Sequence, residues 1–594
     1  MSAHMRSVVM CAVAGTLLIV AIPAGRLLAR QSPTIDAALF RELQWQRLGT
    51  SPGAANGAAA VRVVTDSAFP FRACIGRLDG PAACVSTARA EETGTGTWTP
   101  VSRASAPSIA SDPTDPDVVF TASADDGVRR FDRKTDQAQD VTPLLDTNDR
   151  IDARAPIVFA PAENRTLYFG TTRVWKSTNS GQSWVAVSAT LPDHGTMSSL
   201  APSPIDGRTM WAGTSAGAVQ VSRDGTLTWH ALVMPPATAA MRVSAIEPSH
   251  FDASTAYVAM TSASTALPSL WRTRDGGATW TSIVTGLPER AATHVVREDQ
   301  FRRGLLFAGT DEGALVSFDD GDHWQTLRMN MPAAPVVDIT IRDADVVAVT
   351  AGQGLWMLND IAPLRQVTPD IARANTFLFR PSTAWRMRAS LAADHAPRSA
   401  VALHYLIGPN VSSPVTIEII ESVTGDVIRR FSSTPADDAS PDVTPISGAF
   451  GLHRVWWDLS YTPIDSRGVA VLPGVYQVRL TAGGTTLRQA VSVRIDPRIR
   501  AAAPEITAQY KLARAIDDQR RQISMALRQA AATSTDTSRD RTLRAVMAAL
   551  NSALDRVQQS DAKPTSAAEA AAGAAIAQAV TALAPVAPIG SAAP

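Results

Sequence analysis

The sequence has no excess of charge of either sign, because its 55 Lys and Arg residues are matched by 55 Asp and Glu residues. Surface recognition of nucleic acid needs a basic stripe, and attachment to an anionic membrane needs a polybasic patch. Neither occurs here, so we expect no nucleic-acid partner. With 594 residues the chain is too long for one compact core, and we expect two or three folded units.

Long hydrophobic runs are also lacking, apart from one between Val8 and Ile22. This run follows Arg6 and is shorter than the roughly 20 residues that a membrane span needs. Small residues at Ala24 and Ala29 could precede a cleavage site. We therefore predict a signal peptide over residues 1–29, and a mature chain that is periplasmic or extracellular and has no membrane span. An uncleaved N-terminal anchor is the alternative.

Cysteine is scarce: the chain has three, and Cys11 lies inside the apolar run. Cys74 and Cys84 flank a Leu-Asp-Gly-Pro turn between two short apolar arms. This arrangement can place the two sulfurs across a hairpin, and in an oxidising compartment a disulfide is the simplest interpretation. The alternative is a pair of buried free thiols.

Catalytic and metal-binding signatures are missing as well. The nine histidines are dispersed, and none belongs to a His-Glu-x-x-His motif or a Cys/His cluster. There is no phosphate-binding loop. His294 at the head of a strand and His323 inside a repeat are interpreted as structural. We therefore expect no cofactor and no metal ion.

What the sequence does contain is a short motif in four copies, Ser/Thr-x-Asp-x-Gly-x-x-Trp. The copies lie at 177–184, 222–229, 273–280 and 317–324. Asn179 replaces the acid in the first copy, and Thr226 replaces the glycine in the second. The residues that carry the motif are Ser177, Asn179, Gly181 and Trp184; Ser222, Asp224 and Trp229; Thr273, Asp275, Gly277 and Trp280; and Ser317, Asp319, Gly321 and Trp324.

The motif recurs at the length of a propeller blade. Its tryptophans are 45, 51 and 44 residues apart. A Gly-Thr or similar strand end precedes each copy and a short alternating strand follows it, which favours antiparallel β-structure. The same frame without the motif occurs at 112–131 and 345–358. Counting units predicts a mainly β protein with a seven-bladed propeller over residues 40–372, and LQWQRLG (43–49) would complete the last blade and close the ring.

Every residue type in the motif is explained by a hairpin turn. The acid can accept hydrogen bonds from backbone N–H groups one to three residues later, and the Ser or Thr hydroxyl can do the same. Glycine supplies a positive φ, and tryptophan packs between sheets. Asn179 fits this role but could not act as a general base. Calcium binding is the alternative role for the motif acid, but one carboxylate per copy is too few for the six to eight oxygen ligands that calcium takes.

The motif resembles the Asp-box, or BNR repeat, of sialidases, sortilin-type Vps10 domains and related propellers. The resemblance is closest to large exported bacterial proteins with BNR/sortilin-like propellers, often described as glycosyl hydrolases. It covers most of residues 40–560 and is carried by stretches such as PIVFAPAENRTLYFG (156–170), HVVREDQFRRGLLFAGTDEG (294–313) and LWMLNDIAPLRQ (355–366). In these families the box lies away from the ligand face.

Enzyme activity is not favoured by the resemblance. A sialidase needs an arginine cluster and a tyrosine–glutamate pair, but the predicted propeller holds only Tyr168 and Tyr257, both in strand centres. The working hypothesis is a non-catalytic module of the cell envelope that binds an unknown protein or carbohydrate. The alternative is a glycoside hydrolase that uses two carboxyl groups of its loops. The candidate loop acids include Asp125, Asp126, Asp311 and Glu312.

The repeat stops near residue 370. Alternating strands over 376–499, ending in a Gly-Gly hairpin, look like an Ig/FnIII-like sandwich of the FlgD type, with Trp456, Trp457 and Tyr476 in its core. Residues 504–561 are predicted to form a helical hairpin. Its apolar seam consists of Leu543, Met547, Leu550, Leu554 and Val557. Two heptads are too few to dimerise firmly, so we expect a monomer, with weak oligomerisation through these helices as the alternative. The Ala/Pro-rich tail over 562–594 is predicted to be disordered.

Overall fold

The computed structural model of the protein describes residues 35, 37–49, 60–87, 98–191, 195–235, 241–387, 400–434, 443–533 and 537–584. The predicted signal peptide at 1–29 lies outside these residues.

Within the described residues, seven antiparallel sheets follow one another along the first part of the chain. We number them sheet 1 to sheet 7. Their strands are, for sheet 1, Ala60–Thr65, Arg72–Ser86 and Thr99–Ala106; for sheet 2, Ser108–Ser111, Val118–Ser123, Gly127–Asp132 and Gln137–Asp140; for sheet 3, Ile157–Ala160, Glu163–Gly170, Val174–Ser177 and Val185–Ala186; for sheet 4, Met197–Pro202, Met210–Thr214, Val219–Ser222 and His230–Leu232; for sheet 5, Met241–Pro248, Ala256–Ser262, Leu270–Thr273 and Thr281–Ser282; for sheet 6, Thr293–Glu298, Leu306–Thr310, Gly313–Ser317 and Gln325–Thr326; and for sheet 7, Val336–Arg342, Asp345–Thr350, Gly354–Leu358 and Trp45–Gly49.

The seven sheets form a closed ring. The first strand of each sheet lies against the first strand of the next, and the first strand of sheet 7 lies against that of sheet 1. The early strand Trp45–Gly49 pairs antiparallel with Gly354–Leu358 and completes sheet 7, as expected from its sequence. Closure in this way leaves no long unpaired sheet edge. The arrangement is that of a β-propeller.

The strand sequences explain this packing. Val118–Ser123 and Leu306–Thr310 are buried at every position, because both faces of each sheet are covered by the neighbouring sheets. The last strands are short and solvent-exposed, as in Val185–Ala186 and Thr281–Ser282. Apolar runs therefore mark the middle of each sheet, and polar residues mark its outer edge.

A second unit follows the ring and consists of two sheets over a common core. The smaller sheet holds Thr376–Leu378, Val401–Ile407 and Gly451–Trp457, and the larger holds Ala384–Arg386, Thr416–Glu421, Val427–Ser432, Thr444–Pro445, Gly474–Ala482 and Thr485–Ile495. Trp457 and Tyr476 lie in the core as predicted, with rings 5.4 Å apart. Trp456 does not: it is 37% exposed, because the residue next to Trp457 on a strand faces the other way.

Two short helices, Ala362–Gln366 and Pro369–Ala372, join the ring to the second unit. Three longer helices end the described chain: Ala503–Thr533, Thr537–Gln558 and Ser566–Leu583. The predicted seam residues Leu543, Leu550 and Leu554 are buried within this chain, in the same core as the second unit.

The prediction of a disordered tail over 562–594 is wrong for its first part, because Ser566–Leu583 is a helix. Alanine is the strongest helix former, and Thr565 caps the helix by accepting a hydrogen bond from Ala568 N at 3.2 Å. Ala572 and Ala579 are buried against the two preceding helices. Among the described helices this one is long and apolar enough to cross a membrane by length and composition, although 22% of it is already buried here.

The ring and the second unit share an interface. The carboxylate of Glu42, just before the first strand of the ring, accepts hydrogen bonds from His453 Nδ1 at 2.8 Å and Arg454 N at 2.9 Å. Leu406 and Leu452 of the second unit belong to an apolar core that continues into sheets 6 and 7. These contacts fix the orientation of the two units.

Candidate functional site

All four motif copies form the hairpin between the third and fourth strands of their sheets, in sheets 3 to 6. In each copy the first hydroxyl donates to the acid or amide two residues later at 2.8–3.0 Å. The same hydroxyl accepts from the backbone N–H four residues later at 2.8–3.0 Å, at Gly181, Thr226, Gly277 and Gly321.

The acid reaches further than the sequence suggested. In every copy its side-chain oxygen accepts from the backbone N–H four residues later at 2.9–3.0 Å, at Ser183, Thr228, Thr279 and His323. The second copy also has a bond within the expected range, because Asp224 accepts from Leu227 N, three residues later, at 3.0 Å. Asn179 accepts this bond in the same way as the three aspartates. His323 is positioned within the turn, because its Nδ1 lies 2.7 Å from Asp319 Oδ2.

These bonds affect the titration of the acids. A hydrogen bond from the Thr279 hydroxyl, followed by one from its backbone N–H, lowers the pKa of Asp275 to about 2. The corresponding bonds from Thr228 lower the pKa of Asp224 to about 2. An acid of this kind stays ionised at neutral pH and has no proton to donate, so the geometry assigns it to the turn.

Three of the motif tryptophans also link neighbouring sheets by hydrogen bonds, which the sequence did not reveal. The indole N–H groups of Trp184, Trp229 and Trp324 donate to carbonyl oxygens that follow the preceding sheet, at 2.6, 2.9 and 2.8 Å; the acceptors are Val141, Val187 and Ile283. Trp45 does the same in sheet 7, donating to Leu327 O at 2.8 Å. Trp280 is different, because its indole nitrogen is buried without an acceptor in the described chain.

The cysteines also lie in the ring. Cys74 and Cys84 form a disulfide within Arg72–Ser86. This segment folds back on itself, since Phe71 O accepts from Thr87 N at 3.2 Å and the two cysteine Cα atoms are 4.0 Å apart. The Arg133 guanidinium contacts both sulfurs, and burial lowers its pKa to about 10.

The first strands of the seven sheets surround a central channel. Its cavity is about 600 Å³, including open solvent at its mouths. The channel residues are Val61, Arg62, Pro107, Ser108, Arg154, Ser198, Arg242, Ser244, Ala245, Thr261, His294, Val337 and Asp338. In an antiparallel sheet the first and third strands run in the same direction. The motif turns follow third strands, whereas His294 and Arg242 lie at the starts of first strands. The motif turns therefore lie at the opposite end of the sheets from these two residues.

Part of the channel charge is neutralised. Arg242 forms a two-pronged ion pair with Asp152, at 2.7 and 3.0 Å. Asp338 accepts from the Arg297 guanidinium at 2.9 Å and from the backbone N–H groups of Val63 and Ile339, both at 3.0 Å. These carboxylates are occupied by protein donors.

Two arginines of the channel are not neutralised in this way. Arg62 comes no closer than 4.0 Å to Asp338, and its guanidinium makes no hydrogen bond with the described residues. Arg154 has neither a side-chain hydrogen bond nor an ion pair in that part of the chain. Burial lowers the pKa of both groups. For Arg62 the charge of Asp338 opposes this shift and that of Arg297 adds to it; for Arg154 the charge of Arg242 adds to the shift and that of Asp152 opposes it. The sequence offered no signal for this pair, because Arg62 lies in the first strand of sheet 1 and Arg154, 92 residues later, lies in the turn before sheet 3.

The loop acids considered as a glycosidase pair are not brought together by any contact in the described residues. Asp126 pairs with Arg129 at 2.7 Å in sheet 2. Asp311 in sheet 6 accepts from Ala292 N at 2.9 Å and lies 2.7 Å from His294 Nε2. Each of these two acids therefore stabilises its own loop.

Two other acids, Glu247 and Glu298, both line a second pocket. Glu247 Oε1 accepts from Glu298 N at 3.1 Å, and Glu298 accepts from His250 N at 2.8 Å. Burial raises the pKa of Glu298, whose exposure is 2%. The bond from His250 N holds the Glu298 carboxyl group to the turn that follows the first strand of sheet 5.

Metal binding finds no support in the described part of the chain, where no group of three or more His, Cys, Asp or Glu side chains is placed to hold an ion.

Comparisons with known proteins complete the description. No family model matches the chain, and no curated protein matches it. Among solved structures, it is similar to the extracellular domain of a proposed hybrid two component system from B. thetaiotaomicron, with 11% identity and a TM-score of 0.40 over 74% of this chain and 56% of that one. The chain thus spans little more than half of that protein.

Two other solved structures are similar at the same level. A GH74 enzyme from Niastella koreensis shows 14% identity and a TM-score of 0.40 over 73% of this chain and 72% of that one. YCF48 from Cyanidioschyzon merolae shows 13% identity and a TM-score of 0.39 over 53% and 98%. Likeness at this level carries no argument about function, so the interpretation rests on the geometry of the chain itself.

Proposed function

We propose that the protein is an exported, non-catalytic binding module of the cell envelope, built on a seven-bladed Asp-box propeller of the BNR/sortilin-like kind with an Ig-like module behind it. The ligand, a protein or a glycan, binds at the central channel. The export signal at 1–29, the monomeric state and the family assignment are parts of this proposal.

The observation that carries the proposal is the chemistry of the channel. Its lining offers two arginines with unused donors, Arg62 and Arg154, while the carboxylates of Asp152 and Asp338 accept from protein donors. A glycosidase needs two carboxyl groups about 5–10 Å apart that both face the substrate. Unused donors around a cavity instead favour recognition of a ligand.

Propellers host both binding proteins and enzymes, so the fold does not choose between these functions. The rival remains a glycoside hydrolase acting on a polysaccharide through Asp126 or Asp311. In the described residues both acids are held by a basic side chain of their own sheet.

The test is a panel of polysaccharides and chromogenic glycosides, with turnover and binding measured on the same full-length mature protein. The proposal expects saturable binding of at least one ligand and no turnover. Glycoside turnover that is abolished by Asp126→Asn or Asp311→Asn would refute it. Asp275→Ala is the matched control, because its acid lies on the turn side of the ring, and it should leave ligand binding unchanged.

Export has its own test. The protein is expressed with its N-terminus in a Gram-negative host, and the periplasmic fraction is analysed by mass spectrometry. A mature chain that begins near residue 30 supports the signal-peptide prediction, whereas an intact N-terminus in the membrane fraction favours the anchor.

A further inference from the structure

We propose that the channel binds its ligand through an anionic oxygen group, a carboxylate or a phosphate, held between the guanidinium groups of Arg62 and Arg154. This inference rests on the proposed binding function and names the chemistry of the ligand.

Arg62 has no carboxylate within hydrogen-bond distance in the described chain. Asp338 is the nearest carboxylate, but its Oδ1 already accepts from Arg297 at 2.9 Å and its Oδ2 from Val63 N at 3.0 Å. Arg62 lies 4.0 Å from the same Oδ2, beyond hydrogen-bond distance. The Asp338 carboxylate therefore faces two guanidinium groups. The guanidinium of Arg62, which lines the channel, keeps its donors unused.

The Arg154 side chain likewise has no carboxylate partner among the described residues. Asp152, two residues earlier, is the nearest carboxylate, and its side chain accepts from both terminal nitrogens of Arg242, from Thr196 Oγ1 at 2.7 Å, and from Arg154 N at 2.8 Å. The Arg154 guanidinium donates none of these bonds. It stands on the channel wall beside a neutralised ion pair, with its own charge unbalanced.

The guanidinium groups of Arg62 and Arg154 belong to the lining of the same channel. Arg62 lies in the first strand of sheet 1, and Arg154 lies in the turn before sheet 3. Each carries donors in a planar fork, which matches the two oxygens of a carboxylate or phosphate. Like charges near one another in a partly desolvated channel are costly unless an anion compensates them.

The lining also indicates what the ligand is not. No Phe, Tyr or Trp is among the described residues around the channel. Neutral sugar rings are commonly held against aromatic faces, and such a face is missing here. The hydroxyl groups of Ser108 and Thr261 line the same cavity and can bond the remaining oxygens of an anion. Recognition by charge therefore fits the lining better than recognition of a neutral glycan.

The test uses the full-length mature protein and four probes: inorganic phosphate, a phosphate monoester, acetate and glucuronate. Binding is measured by isothermal titration calorimetry at constant ionic strength set with chloride. We expect saturable binding of the phosphates or of the carboxylates, and the preferred pair identifies the source of the anionic group. Arg62→Gln and Arg154→Gln should each weaken binding by roughly tenfold, the effect of losing a hydrogen bond to a charged group.

Arg208→Gln is the matched control. It makes the same change of charge at a surface arginine that is 78% exposed in its side chain and lies outside the channel lining. Its binding should stay within about twofold of the wild type, as expected for a screened surface charge. If Arg62→Gln fails to fold, Arg154→Gln decides the question, because its guanidinium holds no part of the structure together.

Three results would overturn the inference: no saturable binding of any probe by the folded protein, equal loss of affinity in Arg208→Gln, or wild-type affinity in both channel variants. Its failure is distinguishable from failure of the proposed function. If a ligand found in the panel binds the wild type and both channel variants equally, the protein is a binding module without this anion site. If loop-acid-dependent turnover is found instead, the binding function itself is wrong.

Discussion

The outer turns of the ring and its central channel contain similar polar residues that are used in opposite ways. In the turns, the motif hydroxyls and acids all have partners within a few residues. In the channel, Arg62 and Arg154 have donors without acceptors in the described chain, although Arg242 and Arg297 next to them are paired.

This difference separates stability from function. A polar group whose partners are all internal contributes to the folded state and leaves nothing for a ligand. A charged group that faces a cavity without a partner costs stability and persists where binding compensates it. Changes in the turns should therefore alter stability, and changes in the channel should alter binding.

The largest expected effect is at a motif tryptophan. Trp324 is 4% exposed and donates to Ile283 O at 2.8 Å, so Trp324→Ala should lower the free energy of unfolding by about 3–5 kcal/mol. Denaturant unfolding measures this. Trp280→Phe is the informative contrast: its indole nitrogen has no acceptor in the described chain, so the change should be nearly neutral, whereas Trp324→Phe should not be.

The next effect concerns the positive-φ position of the turn. Gly277 has a φ of +93°, and an added Cβ would lie 2.4 Å from Leu232 Cδ1, so Gly277→Ala should lower stability by about 2–4 kcal/mol. Thr226 occupies the equivalent position at a φ of 74°. Thr226→Gly relieves that backbone strain and should raise stability by up to about 1 kcal/mol. A fall in stability on Thr226→Gly would show that the Thr side chain is needed there.

A smaller effect is expected at the motif acid. Asp275→Ala removes the acceptor for Thr279 N and should lower the thermal midpoint, whereas Asp275→Asn should nearly preserve it, because Asn179 accepts the same bond in its copy. The pKa of Asp275 is lowered to about 2 in the folded protein, whereas the ordinary pKa of an aspartate is near 4. The ionised carboxylate therefore contributes its full stabilisation at pH values above about 4. That contribution is lost as the pH falls towards 2. Melting curves between pH 2 and pH 6 should show a weaker pH dependence in Asp275→Asn.

The smallest effect on stability is expected in the channel. Arg154→Gln removes a charge that no carboxylate of the described chain pairs with, so its thermal midpoint at low salt should equal or slightly exceed that of the wild type. A clear decrease would contradict the comparison, because it would show that Arg154 supports the fold as the turn residues do.

Much of the fold could be predicted because it is encoded locally. The motif marks a turn between two strands, and its spacing marks one sheet, so the repeats and the closing role of the strand at Trp45 follow from the sequence. The second unit was predicted in outline from alternating strands. The helix at Ser566–Leu583 was missed because its alanines were interpreted as low complexity, although the same composition favours a tightly packed helix.

The sequence by itself determined the turns: each motif hydroxyl and each motif acid or amide finds its partners within four positions, and local hydrogen bonds need no information from distant parts of the chain. Only the tertiary structure decided the channel. Arg62 and Asp338 lie in sheets 1 and 7, Arg154 lies in the turn before sheet 3, and all three line one cavity because the ring closes. Which of the arginines is neutralised depends on distances across the ring, and a charge becomes available to a ligand only when those distances leave it without a partner.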